Sequence, residues 1–242
     1  MILDFLLDGA NWALANDDGF PQRILEHLGY TFLAMLLGLV VAFPLGVLIG
    51  HTGRGAFLAI NAGNAGRALP TLGVLMLVVA LAGTGLVPVT VALVLLAIPP
   101  ILTATYAGIS GVSGDTVDAA RGMGMTDTQV ATRVELPNAL PVVIGGVRNA
   151  ALQVVSTATI AAYVGLGGLG RYLFDGLALQ DYPRMVAGSI LIAVLAVAID
   201  LGLAALQRAL VSPGLVGRAT RRTPAPVATA AGATIATNPD ER

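Results

Sequence analysis

The sequence predicts an all-α, polytopic membrane protein, and three observations carry that reading. Hydrophobic residues make up 56% of the 242-residue chain and charged residues only 11%, a balance foreign to soluble domains. Uncharged apolar runs recur at lengths able to cross a hydrocarbon core of roughly 30 Å at about 1.5 Å per residue, giving about five transmembrane helices. A single polar island, Asp115 to Pro141, interrupts them in mid-chain.

Residues 1–26 form an N-terminal segment with a short apolar piece, Met1 to Leu7, followed by Asp8, Trp12, Asp17 and Asp18. Asp4 and Asp8 interrupt it too early for a signal peptide. It reads as an interfacial segment with Trp12 as a headgroup anchor, or as a frayed terminus.

The membrane domain occupies residues 27–210. Its first span, Leu28 to Gly50, carries Ala42, Gly46 and Gly50 four residues apart, a spacing that lets a second helix approach closely. His51 to Gly55 is a polar turn. The second apolar region starts at Ala56, is interrupted by Asn61, Asn64 and Arg67, and resumes to Gly83, with Pro70 expected to kink or interrupt it. Arg67 must face protein, water or headgroups, because a charge at the midplane costs about 2.5–3.5 kcal/mol on insertion scales. Leu86 to Ile109 is the third span, which Pro99-Pro100 should break or bend.

The fourth span, from near Asn138 to near Gly165, is the most polar, with Arg148, Gln153, Ser156, Thr157 and Thr159. It reads as lining a pathway, or as hydroxyls bonded back to their own helix. Gly165 to Gly170 fits G-x-G-x-x-G, but a membrane helix rather than a strand precedes it, so it is a flexible connector and not a dinucleotide site. Arg171 to Arg184 is a polar connection. Met185 to Leu206 is the fifth span and contains Asp200. Residues 211–242 turn basic at Arg218, Arg221 and Arg222, then become a Pro/Ala/Thr-rich, disordered cytoplasmic tail.

Within the polar island, Asp115 can cap a first short helix and Asp118 adds charge near its N-terminus. Gly122 and Gly124 permit a sharp corner. Thr126 to Gln129 has capping-box spacing, so a second helix starts at Asp127 and runs toward Val134, where Pro137 stops it.

Composition narrows function. The chain has no cysteine, which removes disulfides, zinc-thiolate sites and cysteine nucleophiles. His27 and His51 are separated by a span, so no shared metal site is expected. No basic run is interleaved with aromatics, which leaves no basis for a nucleic-acid partner. No Walker-A sequence is present, so the chain itself binds no ATP by a P-loop. No cluster of catalytic residue types shares a depth, and no enzyme activity or bound cofactor is expected.

Arginine alone supplies the basic charge. Arg54, Arg121, Arg133, Arg218, Arg221 and Arg222 fall on one face, and Asp4, Asp8, Asp17, Asp18 and Glu26 precede the first span on the other. The positive-inside rule then places the N-terminus outside and the polar island in the cytosol. Arg148 lies about 15 Å from the cytoplasmic start of the fourth helix, and Asp200 about 12 Å from the cytoplasmic end of the fifth. Similar depth makes an intramembrane ion pair the expectation, with independent snorkelling as its alternative.

Asp118-Ala119-Ala120, Gly124 and Val134-Glu135-Leu136-Pro137 resemble the Glu-Ala-Ala loop of permease subunits of ATP-binding-cassette importers, with Asp118 in place of Glu and Val134 in place of Ile. The resemblance implies the type-I importer permease fold, with Asp118, Ala119, Ala120, Gly124, Val134, Leu136 and Pro137 forming a cytoplasmic coupling loop. It also implies a cytoplasmic ATPase dimer that uses the ATP, an extracytoplasmic solute-binding protein and a second permease copy or paralogue. The stretch Arg67 to Leu72 is similar to a segment near the translocation path of osmoprotectant permeases, making Arg67 and Pro70 pathway or gating candidates beside Gln153 and Thr157 of the polar fourth span. Asp118 to Asn149 and Thr157 to Gly170 look most like permeases for quaternary-ammonium solutes such as glycine betaine, choline, carnitine or proline betaine. A methionine permease shares the loop, and an ATP-independent secondary transporter is the alternative of another class.

Overall fold

The computed structural model describes residues 2–14 and 16–211, apart from the side chains of Ile2 and Arg67. The expected tail, with Arg218, Arg221 and Arg222, lies outside the described residues. The elements are helical throughout: α1 (Ile2–Leu7), a 3-10 turn (Gly9–Trp12), α2 (Phe20–Thr52), α3 (Ala56–Ala68), α4 (Thr71–Ala82), α5 (Leu86–Ser110), α6 (Gly114–Gly122), α7 (Asp127–Val130), a π-turn (Ala131–Glu135), α8 (Leu136–Ala158), a 3-10 turn (Thr159–Val164), α9 (Gly170–Leu179) and α10 (Tyr182–Leu210). Among the described residues, four helical stretches are long and apolar enough to cross a membrane: Phe20–Thr52, Leu86–Ser110, Asp127–Val164 and Tyr182–Leu210. A fifth span forms if Ala56–Gly66 and Thr71–Ala82, which meet at 97°, count as one broken crossing. Pro70 sits at that corner, extended and capping α4.

Helix α5 is the centre of the bundle. Ala92, Leu93, Ala97 and Ile101 on it are fully buried. Lipid tails are as apolar as leucine, so helix association here rests on close packing rather than on escape from water. Small residues supply that packing. A Cβ built on Gly46 of α2 would lie 2.6 Å from Thr105 Cβ, and one on Gly146 of α8 would lie 2.0 Å from Ala104 Cβ. By contrast α10 buries only Ala187 and Gly188 within the described chain, and it presents Val194, Val197 and Leu201 outward.

Several local expectations are corrected. Ser113, not Asp115, caps α6: its side chain accepts the Thr116 N–H, leaving Asp115 in the first turn. Pro137 does not stop the second loop helix. The backbone widens into the π-turn, with the Leu136 N–H on Ala131 O, and the helix continues through Pro137 into α8. Asp127–Val164 is therefore one rod. Pro99 and Pro100 do not break α5, which runs unbroken through both. Neighbouring glycines make room: a Cβ on Gly66 would sit 2.5 Å from Pro99 Cβ, and one on Gly146 would sit 3.2 Å from Pro100 O.

At the opposite end of the bundle, α9 occupies most of what reads in sequence as a plain polar connection. The glycine run before it is tied to α2 at its centre. Gly168 N donates to Glu26 at 2.7 Å, and a Cβ on Gly167 would lie 2.1 Å from Glu26 Oε2. His51 belongs to α2, which continues to Thr52 before Gly53 turns left-handed.

Candidate functional site

The polar loop is a rigid corner between two capped helices. Helix α6 closes with paired hydrogen bonds, Met125 N to Ala120 O at 3.2 Å and Gly124 N to Arg121 O at 2.9 Å. This Schellman closure requires a left-handed residue, and Gly124 supplies it at φ 84°. The next helix starts in a complete capping box. Thr126 N donates to Gln129 Oε1 at 2.9 Å, and Gln129 N to Thr126 Oγ1 at 3.4 Å. Arg121 reaches Asp127 across the corner at 3.5 Å. Ala120 and Val130 are buried, whereas Asp118, Ala119, Gly124 and Met123 face outward. Val134, Leu136 and Pro137 are half-buried, and Leu136 packs on Ile109, Ala139 and Val143.

A contact that sequence reasoning missed joins this loop to the bundle. His51 Nδ1 donates to Glu135 Oε2 at 2.6 Å. The Glu135 side chain is 7% exposed and that of His51 15%. The available signal was a carboxylate inside the Val-x-Leu-Pro run, where an apolar face was needed.

Above the loop, Arg148 pairs with Asp200 through two prongs. Arg148 Nη1 also donates to Gln207 Oε1 at 3.2 Å, and Gln207 Nε2 to Pro141 O at 3.1 Å. The cluster ties α8 to α10.

A cavity of about 350 Å³ opens between α3, α5 and α8, lined in part by Pro99, Thr103, Asn149 and Gln153. Thr157 is not part of its wall: it is 3% exposed, and its hydroxyl bonds back to Gln153 O at 2.8 Å. Pro70 is exposed at the α3–α4 corner, and the Arg67 side chain lies outside the described residues. Of the three pathway candidates whose side chains are described, Gln153 alone reaches this cavity.

The opposite end carries a second polar cluster. Glu26 Oε2 accepts from Arg23 as well as from Gly168, and Arg23 also pairs with Asp18. Asp175 takes Arg171 at 3.0 Å and Arg184 at 3.6 Å. Phe5, Trp12, Phe20 and Tyr172 pack edge-on, with centroids 5.1–6.3 Å apart. Arg184 covers the Tyr172 ring at 5.6 Å, so these rings are occupied by one another and by a resident cation. Trp12 donates its ring N–H to Leu6 O at 2.7 Å while its side chain stays exposed. No group of three or more His, Cys, Asp or Glu able to hold a metal occurs among the described residues.

Residues 34–212 match the family described as "Binding-protein-dependent transport system inner membrane component". The chain is 38% identical over 192 residues to the glycine betaine/carnitine/choline transport system permease protein OpuCB of Bacillus subtilis, covering 79% of this chain and 88% of that protein. It is 37% identical over 187 residues to the osmoprotectant import permease protein OsmY of Salmonella typhimurium, covering 76% and 79%. Among solved structures, an inward-facing form of the MetNI methionine ABC transporter superposes with a TM-score of 0.69 at 24% identity, over 79% of this chain and 96% of that one. That last similarity concerns the fold alone.

Proposed function

Because the chain belongs to the family of binding-protein-dependent transport system inner membrane components, we propose that it is the permease subunit of an ATP-binding-cassette importer for a quaternary-ammonium compatible solute. The observation that carries the reading is the outward-facing, doubly capped corner at Gly124, built on the same rod that lines the cavity. The osmoprotectant, choline and carnitine permeases to which the chain is similar support the substrate class.

In this reading the loop end is cytoplasmic, the N-terminus lies outside and the protein is a multi-pass component of the cell membrane. Charge supports the orientation. In sequence, Arg54, Arg121, Arg133, Arg218, Arg221 and Arg222 belong to the loop side, against Arg23, Arg171 and Arg184 on the other. Asp118 and Ala119 meet a groove of a partner ATPase dimer, Asp118 through polar contacts and Ala119 by close approach, while Ala120 is buried beneath them. A separate binding protein delivers solute at the opposite end, and a second permease completes the pathway.

The uninterrupted Asp127–Val164 rod gives the mechanism a physical route. Displacement of the Gly124 corner when the ATPase closes on ATP tilts the helix that carries Asn149 and Gln153, without a flexible joint between loop and cavity. Phe5, Trp12, Phe20 and Tyr172 pack on one another and under Arg184, so that cluster offers no cage to a quaternary ammonium.

Affinity purification in mild detergent, followed by labelled glycine betaine uptake after osmotic upshift, tests the proposal. Co-recovery of an ATPase and a solute-binding protein with ATP-dependent uptake is expected. Uptake without either partner would favour a secondary transporter, and methionine uptake in place of betaine would overturn the substrate class.

A further inference from the structure

We propose that His51 and Glu135 are positioning residues that lock the coupling loop to the end of α2, so that loop movement drives two spans together rather than α8 alone. The inference rests on the importer reading for its transport consequence and on geometry for the joint itself.

Glu135 ends the π-turn, the single widened turn in the rod between loop and cavity. Such turns insert an extra residue and re-aim the side chains beside them. Here the buried side chain is a carboxylate, and His51 is the one side chain among the described residues that hydrogen-bonds it. A buried carboxylate deprived of its donor is costly, so the contact favours two arrangements, made or broken, over a graded series. The remaining packing near this point, Phe43 and Val47 of α2 against the cluster containing Leu136, is apolar and non-directional. It permits sliding that a 2.6 Å hydrogen bond does not.

The α2 side of the joint is stiff. A Cβ on Gly50, one residue before His51, would lie 2.6 Å from Ile109 Cβ, so this end of α2 lies directly on α5. Force arriving at Glu135 thus passes through His51 into the α2–α5 pair, while the rod carries it separately into α8. Both walls of the bundle respond to one displacement of the Gly124 corner.

The absence of cysteine in the chain makes a distance measurement direct. Spin labels at Leu48→Cys and Met123→Cys, both on exposed positions, report the separation of α2 from the loop corner in the purified permease. A narrow distribution is expected, broadening in His51→Ala and narrowing again in His51→Gln, which restores an N–H donor. Equal widths in all three proteins would overturn the joint, whatever the protein transports. In the complex with its ATPase and binding protein, His51→Ala and Glu135→Ala should each lower solute moved per ATP hydrolysed by at least about fivefold, and the double variant should do no worse than the poorer single. An unchanged ratio, or losses that multiply, would overturn the coupling role. Should an alanine variant not reach the membrane, Glu135→Gln takes its place: keeping an acceptor, it should stay within about twofold of the parent, and a larger loss would overturn the proposal. A parent complex that moves no quaternary-ammonium solute would count against the importer reading alone, because the distance measurement does not depend on it.

Discussion

Arg148 and Asp200, on different helices and 52 residues apart, meet through two parallel hydrogen bonds of 2.9 Å. Each side chain is 29% exposed within the chain, so neither charge is wholly withdrawn from its surroundings, yet the two-pronged geometry fixes the rotation of α8 against α10. Gln207, bonded to Arg148 and to Pro141 O, and Arg184, paired with Asp175, add to the hold on α10, whose buried residues among those described are only Ala187 and Gly188. Arg148→Ala should therefore lower stability in detergent by about 1–3 kcal/mol, as expected for a charge-assisted hydrogen-bonded pair. Exchanging the charges, Arg148→Asp with Asp200→Arg, should recover most of the loss in thermal unfolding and in uptake. A swapped protein no better than either single variant would show that the pair does not hold the bundle.

Gly124 matters through its backbone rather than its space. Nothing lies within 4 Å of a Cβ built there, but its φ of 84° is one that side chains rarely adopt. A β-branched residue costs about 1–2 kcal/mol in this conformation and opens the Schellman closure. Gly124→Val is expected to abolish uptake while the protein still reaches the membrane, and Gly124→Asn, which tolerates left-handed backbone, should keep much of it. Membrane fractionation beside an uptake assay separates the two effects, and normal transport by the valine variant would remove the loop from the mechanism.

The elements legible in the sequence were those fixed by local chemistry. Apolar run length marked the spans, Gly124 and the Thr126–Gln129 box marked the corner, and residue rise placed Arg148 and Asp200 at one depth. One difference is local, and the others arose where a local rule met a distant partner. The cap of α6 went to Ser113 because the helix begins one residue before Asp115. Proline's cost is local and reads as a stop at Pro137, whereas the helix passes through it by way of the π-turn, whose last residue, Glu135, meets His51, 84 residues away. The glycine run at 165–170 resembled slack for the same reason: Glu26, its hydrogen-bond partner, lies 142 residues earlier.

The close approach of α2 and α5 yields a stability prediction. A Cβ at Gly46 would sit 2.6 Å from Thr105 Cβ and 3.1 Å from Leu102 O. Thr105 cannot easily yield, being fully buried with its hydroxyl bonded to Ile101 O at 2.8 Å. Gly46→Val should destabilise the bundle by about 1–3 kcal/mol through overpacking, seen as a lower melting temperature in detergent and reduced abundance in the membrane. Val40→Ala on the same helix, where Val40 is 63% exposed, should change neither. Equal behaviour of the two variants would mean that α2 and α5 do not touch along this face.

At the opposite end, Tyr172 should make stability depend on pH in the alkaline range. The ring is 3% exposed and its hydroxyl donates to Asp18 O at 2.6 Å. Burial pushes the phenol up from its ordinary 10 to about 12, against the opposing pull of Arg23 and Arg184. Folding therefore favours the protonated phenol. Its contribution is whole below the unfolded value and is lost as pH rises through the folded one, a window from about pH 10 to about pH 12. Trp12, the one tryptophan in the chain, packs edge-on in the same aromatic cluster at 5.1 Å from Phe20 and reports this end by fluorescence. Its unfolding temperature should fall across that window in the parent protein. Tyr172→Phe, lacking the hydroxyl, should start lower, having lost the bond to Asp18, and show a flatter pH dependence. A variant that falls as steeply as the parent would place the alkaline titration on another residue.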